Sequence, residues 1–285
     1  MRPASWFADS ARAARCPYTW TEFRCLCRTT GTWILTDFLT GDIGEVQVAR
    51  GYSSPLLGPN ALGGTINLVT QEPTKRINAD ALIGTGSGDT LLASLRLGSR
   101  WRRFFFQGTL DWLLYNDVPL SGDFQVLQYR NLPHVTMTDR LNHSWSRDEK
   151  FGGRLGWTPR TGDEYVFSYI SLKGQKGVPL YQGSNTNATY RNFWSWPYWD
   201  MVNCYFHSNT QLGESNSLKL RAFYNQFLND IDMYSDDTYS VMNTTNAAHS
   251  MYDEHNDGAS AEFNSRILPR NSLRGVILLQ SRHPP

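Results

Sequence analysis

Seven carboxylates and two imidazoles crowd one stretch of this chain: Asp230, Asp232, Asp236, Asp237, Asp253, Glu254 and Asp257, with His249 and His255 among them. Carboxylate oxygens suit hard cations such as calcium, but the spacing does not repeat an EF-hand loop. A hydrated acidic loop is the plainer reading, and no metal is assigned. Trp194, Trp196, Tyr198 and Trp199 form a second cluster. They could stack on a ligand ring, or form the aromatic belt found where strands cross a membrane interface. His134, His143 and His207 are possible general bases, yet no G-x-S-x-G elbow accompanies them. The run from Gly58 to Gly63 and Gly64 has a phosphate-loop look, but no Lys-Ser/Thr pair follows, so these glycines read as structural. Cys16, Cys25 and Cys27 crowd the start, with Cys204 far beyond. Their spacing is wrong for a zinc knuckle. Asn142, Asn187 and Asn243 each begin an N-x-S/T triplet, taken as chance matches. No cofactor motif is present.

The elements that would hold these groups are strands. The chain has 285 residues and a formal net charge of +1, so no global field draws it to nucleic acid. It lacks an apolar run long enough for a helical membrane span. Its aromatic share of 13% suits a membrane barrel with girdles at both interfaces. Mean hydropathy is -0.47, which decides little, because a wet lumen and polar loops would average out the same way.

Along the chain, apolar residues recur at every second position. Phe104, Phe106, Gly108, Leu110, Trp112 and Leu114 mark one face; Phe105, Gln107, Thr109 and Asp111 mark the other. Phe151, Gly153, Leu155 and Trp157 alternate with Gly152, Arg154 and Gly156. Period two is strand geometry, and apolar-out with polar-in is the pattern of a transmembrane β-barrel. The connections alternate short (near Ser99, Gly162, Glu214 and Asn271) and long (Asn116 to Glu149, Gly174 to Tyr198, Asp230 to Asp257). Outer-membrane barrels alternate short periplasmic turns with long extracellular loops in this way. The count is about nine strands.

The stretch from Gly44 to Pro73, GEVQVARGYSSPLLGPNALGGTINLVTQEP, carries the most specific signal. Glu45, Val46, Arg50, Gly51, Ser53, Ser54, Gly58, Ala61, Gly63, Gly64, Ile66, Asn67, Val69 and Thr70 are its ordered marks. This resembles the end of the plug domain of TonB-dependent outer-membrane receptors. The resemblance implies an all-β chain: an atypical segment 1–37, the C-terminal part of a plug over 38–73, and the first part of a transmembrane antiparallel barrel over 74–285. It implies that Glu45 and Arg50 take part in plug–barrel contact and that Gly51, Gly58, Gly63 and Gly64 shape plug turns. It further implies a bacterial outer-membrane receptor for a scarce solute such as a ferric siderophore. Such a receptor works with the TonB energy-transducing complex amid outer-membrane lipid. Trp194, Trp196 and Trp199 are the candidate ligand contacts at the pore mouth.

A plugged lumen needs about 22 strands, so the chain is expected to be a piece of a longer receptor that does not transport alone. No signal peptide is legible at the start. A barrel enzyme of lipase or protease type, or a passive porin, is the alternative; the plug stretch counts against the porin.

Overall fold

The computed structural model describes residues 18–20, 23–25, 39–50, 64–124, 139–179, 193–242, 249–267 and 271–283. Among the described residues fifteen strands occur in chain order: β1 (Tyr18–Trp20), β2 (Phe23–Cys25), β3 (Ile43–Arg50), β4 (Gly64–Thr70), β5 (Asn78–Gly86), β6 (Thr90–Trp101), β7 (Phe104–Tyr115), β8 (Val118–Pro119), β9 (Arg140–Leu141), β10 (Ser146–Trp157), β11 (Glu164–Val178), β12 (Trp194–Leu212), β13 (Asn216–Met233), β14 (His249–Ser265) and β15 (Leu273–His283). Among the described residues there is no helix, and so none that could cross a membrane.

The nine long strands make one sheet in the order β15-β14-β13-β12-β11-β10-β7-β6-β5. Every neighbouring pair is antiparallel. It is a meander, the arrangement that alternating apolar and polar residues with hairpin turns dictates. A smaller sheet, β2-β1-β4-β3, holds the plug segment. β3 and β4 pair antiparallel, and β1 lies parallel to β4. Segment 1–37 therefore supplies two short strands to the plug sheet, which its composition does not announce.

Alternation decides which face each residue takes. On β7, Phe104 and Phe106 are 56% and 53% exposed, while Phe105, Gln107, Thr109 and Asp111 are buried. On β10, Phe151, Leu155 and Trp157 point outward, whereas Ser146, Asp148, Lys150 and Arg154 are buried. A soluble protein would hide such phenyl and indole rings; in lipid they are the favoured surface. The buried face of β7 and β10 is largely polar, and it is here that the plug docks.

The strands run further than alternation alone indicates. β11, β12, β13 and β14 have 15, 19, 18 and 17 residues, against the roughly 9–11 that a tilted spanning strand needs. The expected long connections shrink accordingly: β11 runs to Val178, β12 starts at Trp194, β13 runs to Met233 and β14 starts at His249. The first connection contains the small β8–β9 hairpin. Beyond the membrane neither strand face meets lipid, so the apolar alternation fades although the ladder continues. Asp230, Asp232, Asp253, Glu254 and Asp257 thus stand on strands, not in a loop. One irregularity has a local cause: the β12–β13 register shifts between Ser195 and Tyr198, the segment that contains Pro197. Proline has no N–H to give to a ladder, so it settles at a bulge.

Candidate functional site

Side chains directly opposite one another on neighbouring strands form rows across the buried face. One row runs Ser94, Asp111, Lys150, Leu172, Met201, Phe227 from β6 to β13. Its apolar end, Leu172, Met201 and Phe227, packs with Trp199 into a buried cluster. Its polar end is where the plug docks. Lys150 Nζ donates to Asp42 Oδ1, from the plug turn before β3, and to the carbonyl oxygen of Leu39 at 2.8 Å. Asp111 Oδ2 lies 3.5 Å from the same ammonium, and Asp111 Oδ1 accepts from Ser94 Oγ at 2.5 Å. The Lys150 side chain is 0% exposed. A lysine is almost never fully buried unless paired, and here one wall carboxylate and one plug carboxylate do the pairing.

Backbone closeness accompanies the charges. A Cβ added at Gly41 would lie 2.1 Å from Asp111 Oδ1 and 2.2 Å from Ser94 Oγ. The plug turn thus lies against the wall where only hydrogen fits. Gly41→Ala is expected to break the Ser94–Asp111 hydrogen bond and destabilise docking by about 1–3 kcal/mol, the usual cost of overpacking. The check is a urea midpoint shift in detergent micelles, with Gly108→Ala as a control, because nothing lies within 4 Å of a Cβ there.

A column of arginines holds the plug-to-wall linker. Arg96 Nη1 donates to Gln71 Oε1 at 2.5 Å. Arg100 donates from Nη2 to Glu72 Oε2 and from Nε to the Pro73 carbonyl oxygen, both at 2.8 Å. Arg154 Nη2 reaches Glu72 Oε1 at 3.5 Å. Phe105 lies between the two cations that share Glu72, with guanidinium carbons 4.7 Å and 5.7 Å from its ring centre. Its ring covers Gly156, where an added Cβ would lie 1.9 Å from Phe105 Cε1. A third contact is apolar: Leu68 of β4 packs with Ile170 and Tyr205 of the wall.

The residues named from sequence fall differently. Glu45 is exposed on β3, where its carboxylate accepts from Gln47 Nε2 at 3.1 Å. Arg50 ends β3 opposite Gly64, which opens β4. Gly51, Gly58 and Gly63 lie outside the described residues. Trp199 is buried on the plug-facing side, 5.2 Å from Phe227 and 5.6 Å from Trp196 between ring centres, with Lys176 Nζ 4.7 Å from its own ring centre. Trp194 opens β12 opposite Met233. The docking residues Asp42, Glu72, Asp111, Lys150 and Arg154 are not among those the sequence singles out. A signal for two of them exists: Lys150 and Arg154 alternate with the outward Phe151 and Leu155, so both must point at the lumen and need partners there.

His134 lies outside the described residues, and His207 is on the wall. His143 sits between β9 and β10 in the left-handed region, at φ 59°. Its ring stacks on Tyr239 with centres 3.5 Å apart. Its Nε2 is 3.1 Å from the Trp194 carbonyl oxygen, which can only accept, and 2.8 Å from Ser195 Oγ. Burial pushes the imidazole below its ordinary value, against the weaker opposite pull of that carbonyl. A depressed histidine favours the neutral form when packed, so the opened loop takes up the proton more readily. Stability of this loop cluster should therefore be full above about pH 6.5 and fall as pH drops below it. Hydrogen exchange over 234–242 between pH 8 and pH 5, corrected for intrinsic rates, should show protection falling on acidification, and His143→Phe should flatten the response.

No protein-family model matches the sequence, and no curated protein matches it. Solved structures do match its fold. The copper transporter OprC superposes with a TM-score of 0.70 at 12% identity, over 94% of this chain and 38% of that one. The FrpB iron transporter from Neisseria meningitidis (F3-3 variant) gives 0.68 at 14% identity, over 95% and 42%. A mutant of the ferric enterobactin receptor PfeA from Pseudomonas aeruginosa gives 0.66 at 11% identity, over 94% and 41%. The chain spans about two fifths of the length of these structures. The chain shares the fold of these structures over that part: a small plug-type sheet held against an arc of antiparallel β-wall.

Proposed function

We propose that this chain is part of a TonB-dependent receptor in a bacterial outer membrane, which takes up a scarce solute such as a ferric siderophore or another metal complex. The observation that carries the reading is the buried joint of Asp42, Lys150 and Asp111. It binds a plug segment to the polar face of a wall whose other face is apolar. A passive porin has no use for a segment docked across its lumen. A plug that must move in response to the energy-transducing partner needs a joint that is strong, local and polar, because charged groups can be re-solvated when water enters.

The arc has two edges, β5 and β15. Lipid does not tolerate unpaired edges, so the working barrel requires further strands, and this chain alone is expected not to transport. At the upper wall, Trp194, Trp196 and Trp199 remain the proposed aromatic contacts for the solute, and Glu45 and Arg50 the proposed second plug–barrel contact.

The test is disruption of the gene in its own cell, followed by uptake of labelled ferric siderophores and copper with and without a protonophore. Loss of one energy-dependent uptake supports the reading. Unchanged uptake of every solute, with loss of an outer-membrane esterase or protease activity, would replace it with the barrel-enzyme alternative.

A further inference from the structure

A second polar cluster lies far from the plug joint, on the other face of the wall. The outward residues of β13 run Leu218, Leu220, Ala222, Tyr224, then Gln226, Leu228, Asp230 and Asp232. Asp230 comes six residues after Tyr224, roughly 20 Å further along the strand. That places Asp230 and Asp232 above the apolar band, on the long extension that also carries the start of β14. Two residues apart on a strand, they share one face. Asp232 pairs directly with His249 of β14, and directly opposed side chains are in reach of each other. His249 Nδ1 is 3.1 Å from Asp232 Oδ1 and 3.2 Å from Asp230 Oδ1. One ligand atom from each of the three residues falls within 4.8 Å of the other two. The Tyr234 hydroxyl is 3.5 Å from the remaining oxygen of Asp232.

The cluster is more than a set of acidic groups at a surface. The Asp230 side chain is 5% exposed, and its Oδ1, aimed into the cluster, accepts no hydrogen bond. A buried carboxylate oxygen without a donor is costly. A single Nδ1 has at most one proton to divide between two carboxylates. A cation seated between the three groups would satisfy them all.

We propose that Asp230, Asp232 and His249 bind one divalent transition-metal ion of the zinc type on the extracellular extension of the wall. One imidazole nitrogen with two carboxylate oxygens suits a borderline cation, whereas calcium takes oxygen ligands throughout. Three protein ligands leave a fourth position for water. The ion clips β13 to β14 at the base of the connection between them. The site is separate from the plug joint and does not depend on the uptake reading.

The experiment uses the full chain in detergent micelles, untagged, chelator-stripped, with Cys16, Cys25 and Cys27 replaced by serine so that thiols do not compete. Zinc(II) is titrated by calorimetry, and cobalt(II) by its visible ligand-field spectrum. The expected result is one equivalent of zinc, weakened at least tenfold by Asp230→Asn and by His249→Phe and unchanged by Asp253→Asn. His249 is half-exposed, so His249→Phe keeps the test open if Asp230→Asn fails to fold. Absence of saturable binding, binding indifferent to both variants, or a preference for calcium over zinc would each overturn the proposal. No transport is measured, so its failure leaves the receptor reading untouched.

Discussion

Replacing Lys150 by methionine is expected to destabilise the docked plug by about 3–5 kcal/mol, the usual cost of leaving buried charges without their partner. The reason is the company that lysine keeps. Asp42 and Asp111 are 4% and 2% exposed at the side chain, so neither reaches water once the ammonium is gone. Methionine fills much of the same volume, which separates the electrostatic loss from a cavity. The companion triple variant, Lys150→Met with Asp42→Asn and Asp111→Asn, should recover a large part of the loss, since a buried ion pair is weak evidence for net stability. Urea midpoints in micelles measure both. If Lys150→Met shifts the midpoint no more than a surface substitution does, the joint is not buried as described.

Phe105→Ala should follow closely, at about 3–5 kcal/mol, the range for truncating a buried phenylalanine. It removes a ring that is 3% exposed and uncovers Gly156. It also removes the surface on which Arg100 and Arg154 lie. The consequence reaches the plug, because both arginines hold Glu72. Limited proteolysis should therefore cut the 71–75 linker faster in Phe105→Ala, while Phe106→Ala, whose ring faces outward, should leave the linker protected. Equal cutting in the two variants would mean that Phe105 does not support the clamp.

The sequence makes the wall legible where one face meets lipid. Phe104, Phe105 and Phe106 are chemically identical, yet Gln107, Thr109 and Asp111 place Phe105 with the polar set. The structure buries Phe105 and exposes its neighbours. Legibility stops where neither face meets lipid. The upper halves of β12, β13 and β14 read as acidic or aromatic loops, because a ladder with no lipid-facing side imposes no apolar period. The plug joint is hidden for another reason. Asp42, Glu72 and Lys150 are ordinary surface residue types, and Lys150 lies 108 positions from Asp42, the plug aspartate that it meets. Only the register of β6, β7 and β10 shows that Ser94, Asp111 and Lys150 share a row under one plug turn. The glycine-rich stretch is strong as a resemblance and silent about contact. Its exposed Glu45 lies on the described plug sheet, while the described polar docking residues flank that sheet on both sides, at 39–42 and 71–73.

The most direct test of a plug segment bound to the wet face of a membrane wall is a cross-link between them. Leu68→Cys paired with Ile170→Cys, in a background with the four native cysteines replaced by serine, brings two thiols together from plug and wall, because these side chains pack on each other. In outer membranes carrying the protein, mild oxidation should join them, giving a reducible shift in gel mobility that Leu68→Cys with Gly108→Cys does not show. Failure to join, with both thiols still labelled separately by a water-soluble maleimide, would contradict the docked plug.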